Sequence, residues 1–89
     1  MSWRFEIAAT AECSFERLDP DVARRAYERL EWFVDNFEEL THHPLTGEFK
    51  GSFKLRVGDW RIVYEIHSFK QTIYVTGVEH RSKAYKKRR

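Results

Sequence analysis

The sequence predicts an α+β fold. A small sheet of about four strands, antiparallel in type, carries two N-terminal helices packed on one face, in the order β-α-α-β-β-β. Three observations predict it. Large apolar and charged residues alternate with period two in residues 3–7 and again from Phe53 onward, the pattern of half-buried strands. Between them, apolar residues recur at steps of three and four, as one side of a helix requires. A Gly-Asp pair joins two of the alternating runs, which marks a hairpin. A chain of 89 residues has apolar material for one modest core, so residues 1–89 are expected to form a single domain.

The first strand is residues 3–7, where Trp3, Phe5 and Ile7 alternate with Arg4 and Glu6. Residues 13–18 read as a short helix. Asp19-Pro20 then offers an N-cap residue followed by proline at the first helical position, where its missing N–H is harmless. The longer helix that follows places Val22, Ala26, Leu30, Phe33, Phe37 and Leu40 on one side and mostly charged residues on the other. Residues 41–47, His-His-Pro-Leu-Thr-Gly after a threonine, have the composition of a loop. Phe53, Leu55 and Val57 alternate with Ser52, Lys54 and Arg56; beyond Gly58-Asp59, Trp60, Ile62, Tyr64 and Ile66 alternate with Arg61, Val63 and Glu65. Residues 72–79, with Ile73, Tyr74, Val75 and Val78, have the apolar density of a central strand.

Composition narrows the setting. Three Trp, four Tyr and seven Phe suit a core built on large rings. Cys13 is the sole cysteine, which excludes an internal disulfide and a cysteine-based zinc site and fits a reducing cytosol. With no signal-like or membrane-length apolar run, a soluble cytoplasmic protein is expected. The net charge of +2 conceals a polar distribution: residues 1–40 hold ten acids and five bases, residues 41–89 four acids and eleven bases. A basic second half points to a polyanion, nucleic acid first.

The hairpin turn fixes which charges meet. With Gly58-Asp59 as a two-residue loop, Val57 lies opposite Trp60, Arg56 opposite Arg61, Leu55 opposite Ile62 and Lys54 opposite Val63. The apolar set then shares the core face, Trp60 and Tyr64 included as packing residues, and Lys54, Arg56 and Arg61 share the other. Two arginines directly across a strand pair repel by roughly 0.2–1 kcal/mol, so an anion is expected to offset them. The last strand ends at Glu79-His80-Arg81, which is expected to bring His80 and Arg81 near the same face, with Tyr85 one helical turn beyond Arg81. Phosphodiester cleavage needs a proton acceptor for the attacking 2′-hydroxyl, a donor for the leaving 5′-oxygen and cations for the growing phosphate charge. No carboxylate pair or histidine triad suggests a metal, so no cofactor is expected, and Lys54 or Tyr85 is the candidate base. Imidazoles titrate near neutrality in general, which makes His80, like Arg56, an additional candidate.

These residues also carry a resemblance. Phe53-Lys54-Leu55-Arg56-Val57-Gly58-Asp59-Trp60-Arg61-Ile62-Val63-Tyr64, followed by Val78-Glu79-His80-Arg81 and Tyr85, is similar to the RelE/ParE toxins, with a Lys-Leu-Arg run, a glycine-started aromatic-Arg-aliphatic-aliphatic-Tyr strand, a late basic pair and a tyrosine in the terminal segment. The resemblance covers nearly the whole chain. It implies the RelE-like microbial RNase fold and a toxin neutralised by a cognate antitoxin in a hetero-oligomer. In the RelE branch it implies an mRNA endonuclease acting in the ribosomal A site. Roles implied on matching positions are acid/base for Lys54, phosphate stabilisation for Arg61, charge stabilisation or leaving-group donation for Arg81, and base or stacking partner for Tyr85. The sequence departs at Ser52, where some RelE enzymes have another lysine; losing one charge stabiliser costs on the order of a hundredfold in rate.

Blander readings stand beside these. Arg61 can pair with Glu65 along its own strand. His80 alone reads more often as a strand-end residue, and Tyr85 as packing on a sheet edge. His42 and His43, next to Pro44, read as loop residues rather than metal ligands. Lys83, Lys86, Lys87, Arg88 and Arg89 would attract RNA without reading its sequence, in a salt-sensitive way. The alternatives in function are a ParE-like inhibitor of DNA gyrase on the same fold and a non-catalytic nucleic-acid-binding module.

Overall fold

A computed structural model describes residues 3–45 and 51–80. Strand β1 is Arg4–Ile7, helix α1 Ala9–Glu16, helix α2 Pro20–Asp35, strand β2 His43–Pro44, β3 Phe53–Val57, β4 Trp60–His67 and β5 Thr72–His80. One-turn 3-10 helices follow α2 at Phe37–Glu39 and β4 at Ser68–Lys70. The strands form one sheet in the order β1-β5-β4-β3-β2, with β1 parallel to β5 and every other pairing antiparallel.

The predicted α+β architecture is present, with a fifth strand and a mixed sheet in place of about four antiparallel ones. The additional strand is β2, within the segment read as a loop; two residues carry no alternation to read. The parallel pairing arises because both helices intervene between β1 and the rest, so β1 returns to β5 from across the layer instead of by a hairpin. Helix α1 begins at Ala9 and ends at Glu16, earlier than the predicted residues 13–18. Ala9 to Ala11 contain only alanine and threonine, too little apolar bulk to show a period, yet Ala11 is fully buried.

Helix α2 follows the expected start and stripe. Pro20 is its first residue after Asp19, whose carbonyl accepts the first helical bond from Ala23 N–H at 2.9 Å; the Asp19 carboxylate makes no capping bond. Ala26, Leu30, Phe33 and Phe37 are buried as the three-four spacing predicts, together with Val34. They meet Ala11 and Phe15 of α1 and Ile62, Tyr64, Ile73, Val75 and Val78 of the sheet in one core. Both helices therefore cover one face of the sheet. Among the described residues no helix is long and apolar enough to cross a membrane.

The hairpin register is the predicted one throughout: Val57 pairs with Trp60, Arg56 with Arg61, Leu55 with Ile62 and Lys54 with Val63. Gly58 takes φ +59°, while Asp59 stays at negative φ, the pattern of a turn with glycine at its first central position. A Cβ there would meet nothing within 4 Å, so substitution is penalised by backbone conformation alone. Gly58→Val is expected to destabilise the fold by about 1–2 kcal/mol, the cost of a left-handed L-residue. A urea titration with an unchanged midpoint would show that the turn adopts another shape.

Strand β5 contains a bulge that determines the site. Val63 pairs with Gly77 and Tyr64 with Val75, which leaves Thr76 extra. Val75 and Val78 are three apart and would face opposite ways in a regular strand. The extra residue lets both enter the core.

Candidate functional site

The face of the sheet away from the helices holds the predicted basic cluster. Arg56 and Arg61 are cross-strand partners, and Lys54 is two residues from Arg56 on the same side of β3. Lys54 and Arg56 are exposed, and neither joins an ion pair among the described residues. Arg61 does: its Nη2 donates to Glu79 Oε1 at 2.8 Å, with about a fifth of each side chain exposed. The expected offset to the Arg56/Arg61 repulsion is thus Glu79, the cross-strand partner of Arg61 on β5, and not Glu65. The Nε of Arg61 is buried and has no hydrogen-bond partner among the described residues, so the guanidinium keeps donor capacity after binding Glu79.

His80 is elsewhere. It is the cross-strand partner of Trp60, on the helix side of the sheet, and their rings meet edge to face at 5.1 Å. The bulge at Thr76 is the reason: it reverses the alternation beyond Val75, turning Glu79 toward the basic cluster and His80 away from it. The expectation that His80 joins Lys54, Arg56 and Arg61 fails on this geometry. Only the odd spacing of Val75 and Val78 signalled the reversal.

Strand β2 adds a residue the sequence reading set aside. His43 pairs with Lys54 and is exposed, so an imidazole stands beside the lysine on the basic face. Its neighbour His42 has a structural role. Phe37 C=O can only accept, so His42 Nε2–H donates to it at 3.1 Å, and Nδ1 accepts from the Tyr64 hydroxyl at 2.8 Å. Burial pushes the Tyr64 phenol further up from its ordinary value, keeping it a neutral donor. This pair ties the start of β2 to the core and so holds His43 against Lys54. Ser52, the departure noted in the sequence, precedes β3, and its carbonyl accepts from Leu45 N–H at 2.9 Å. Among the described residues no three His, Cys, Asp or Glu side chains gather as a metal-binding group. The candidates Arg81, Lys83, Tyr85, Lys86, Lys87, Arg88 and Arg89 lie outside the described residues.

Comparison with known proteins bears on family and fold. The family model described as ParE toxin of type II toxin-antitoxin system, parDE, matches residues 5–85. The chain belongs to the ParE toxin family. It is a type II toxin of the RelE/ParE superfamily, as the hairpin and late basic residues implied. Among curated protein sequences none matches. Of solved structures, the RelBE2 toxin-antitoxin complex from Mycobacterium tuberculosis is similar at 23% identity and a TM-score of 0.79, over 91% of this chain and 100% of that one. A double-arginine variant of Escherichia coli RelE in the free state matches at 18% identity and a TM-score of 0.74, over 97% and 93%. The YoeB/ParE toxin from Agrobacterium tumefaciens matches at 15% and 0.67, over 86% and 96%. At these identities the structures show the shared fold. The helix layer and mixed sheet of this ParE-family toxin are those of RelE-like proteins.

Proposed function

We propose that this toxin is an endoribonuclease that cuts messenger RNA on the ribosome, and that a cognate antitoxin holds it inactive. The supporting observation is the convergence of Lys54, Arg56 and Arg61 on one open sheet face, with His43 beside Lys54. In the proposed reaction the 2′-oxygen attacks the adjacent phosphorus and the P–O5′ bond breaks, leaving a 2′,3′-cyclic phosphate and a 5′-hydroxyl. One proton leaves the 2′-hydroxyl and another reaches the 5′-oxygen. Lys54 handles a proton, with His43 as a neighbouring titratable group. Arg61, oriented by Glu79, and Arg56 meet the equatorial phosphate oxygens, where a planar fork binds two at once. Arg81 and Tyr85 take the roles implied by the family resemblance, charge stabilisation or leaving-group donation, and base or stacking. The solved relatives in complex with RelB antitoxins favour a protein partner of the same kind here.

One observation favours a second reading, inhibition of DNA gyrase without catalysis. Glu79 places a carboxylate against the arginine that a phosphate would approach, and the matching family model is a ParE model. The two readings separate in cells. On induction of the toxin, new mRNA 5′ ends inside translated codons are expected within minutes, and none with the Lys54→Ala/Arg61→Ala variant. Intact mRNA with arrested DNA synthesis would replace the nuclease by the gyrase inhibitor.

A further inference from the structure

Beyond the basic face, a groove of about 490 Å³ runs between α2 and the tip of the β3–β4 hairpin. Arg25, Arg29 and Trp32 line it from α2, at the three-four spacing of one helix face, and Arg56 and Val57 line it from the hairpin. This α2 face is distinct from the core stripe. Among the described residues β2 pairs with β3 only at Phe53 and Lys54, and no further strand pairs with the tip half of β3 on that side.

Its chemistry is that of a single-stranded nucleic-acid track. Three arginines and one acid, Glu28, border it. Arg24 pairs with Asp21 at 3.0 Å, whereas Arg25, Arg29 and Arg56 join no ion pair among the described residues. The Arg29 guanidinium carbon lies over the Trp32 ring, 4.8 Å from its centroid, within cation–π range. Trp32 remains 45% exposed, so part of its ring is open to solvent. Aromatic rings interleaved with arginines bind bases by stacking and phosphates by charge, independent of sequence. Arg56 belongs both to this groove and to the basic face, so the two surfaces are continuous.

We propose that this groove binds the RNA strand where it leaves the cleavage face, with Arg25, Arg29 and Arg56 on phosphates and Trp32 stacked on a base. The assignment rests on the nuclease reading for the position of the scissile bond, but binding tests it separately from cleavage. The probes are fluorescein-labelled 2′-O-methyl RNAs of 4 and 16 nucleotides, which the toxin cannot cut, followed by polarisation over a range of salt. For Arg25→Gln/Arg29→Gln, affinity for the 16-mer is expected to fall at least tenfold. The slope of log affinity against log salt should become shallower by about 1.4, the share of two phosphate contacts. Affinity for the 4-mer should not change. Trp32→Ala should weaken the 16-mer several-fold at unchanged slope. Circular dichroism melts of the variants, all at surface positions, separate loss of binding from loss of fold. Equal 16-mer affinity for folded wild type and variants overturns the proposal, as does a variant that loses only affinity for the antitoxin, because the groove would then be a protein site. If the wild type cuts no mRNA yet the 16-mer effects appear, the nuclease reading falls and the groove stands.

Discussion

Arg61→Ala is expected to lower RNA cleavage by about 100- to 1,000-fold, the range for removing one preorganised charge stabiliser from a transition state. The loss should fall on kcat, since Arg56 and Lys54 remain to bind ground-state phosphate. Glu79→Gln provides the complementary measurement. Glutamine keeps an oxygen where Arg61 Nη2 donates but removes a negative charge from the face. Binding to a short RNA should therefore tighten several-fold at low salt, with the gain vanishing as the Debye length shortens. Cleavage in Glu79→Gln should stay within about tenfold of wild type. A single-turnover assay on programmed ribosomes decides both. An Arg61→Ala enzyme with wild-type kcat would remove Arg61 from the reaction and leave its pair with Glu79 as a structural contact.

Leu30→Ala is expected to have the largest effect on stability. Leu30 is fully buried at the centre of α2, against residues of both layers. Removing three carbons there leaves a cavity as well as a lost transfer term, together about 2–5 kcal/mol. Domains of this size hold about 5–15 kcal/mol in total, so the variant is expected to melt on the order of 10–30 °C lower. A calorimetric scan with the midpoint within a few degrees of wild type would mean that the helix layer is loosely packed or sits elsewhere. The same scan on Trp32→Ala, at the exposed face of α2, should show a far smaller shift.

The hairpin was readable from sequence because its register depends on neighbours in the chain. Gly58-Asp59 fixes the turn, and alternation then assigns Lys54, Arg56 and Arg61 to one face. Helix α2 was readable for a similar reason, since its apolar period recurs along its 16 residues. What escaped depends on partners far away in sequence. Nothing in Arg4–Ile7 says that it lies beside Thr72–His80. A two-residue strand at His43 has no period, and its place is set by the hydrogen bond between His42 and the buried Tyr64 hydroxyl. The misplaced His80 is the instructive case: a single extra residue, Thr76, inverts the side chains of β5 from Gly77 to His80, so an arginine's partner and a histidine exchange faces.

The parallel pairing of β1 with β5 sets the order in which this toxin becomes whole during its own synthesis. Arg4 is joined to Thr72 across 68 positions of sequence, from the two residue numbers. The first strand made must wait for the last described one, and α1 packs against that same late strand. Closing so long a loop precedes any reward from the contacts it creates, which makes it a late event in folding. A nascent chain that has not passed residue 75 lacks the partner for residues 4–7. The sheet, and with it the toxin's fold, therefore closes only after residues 72–75 have been made.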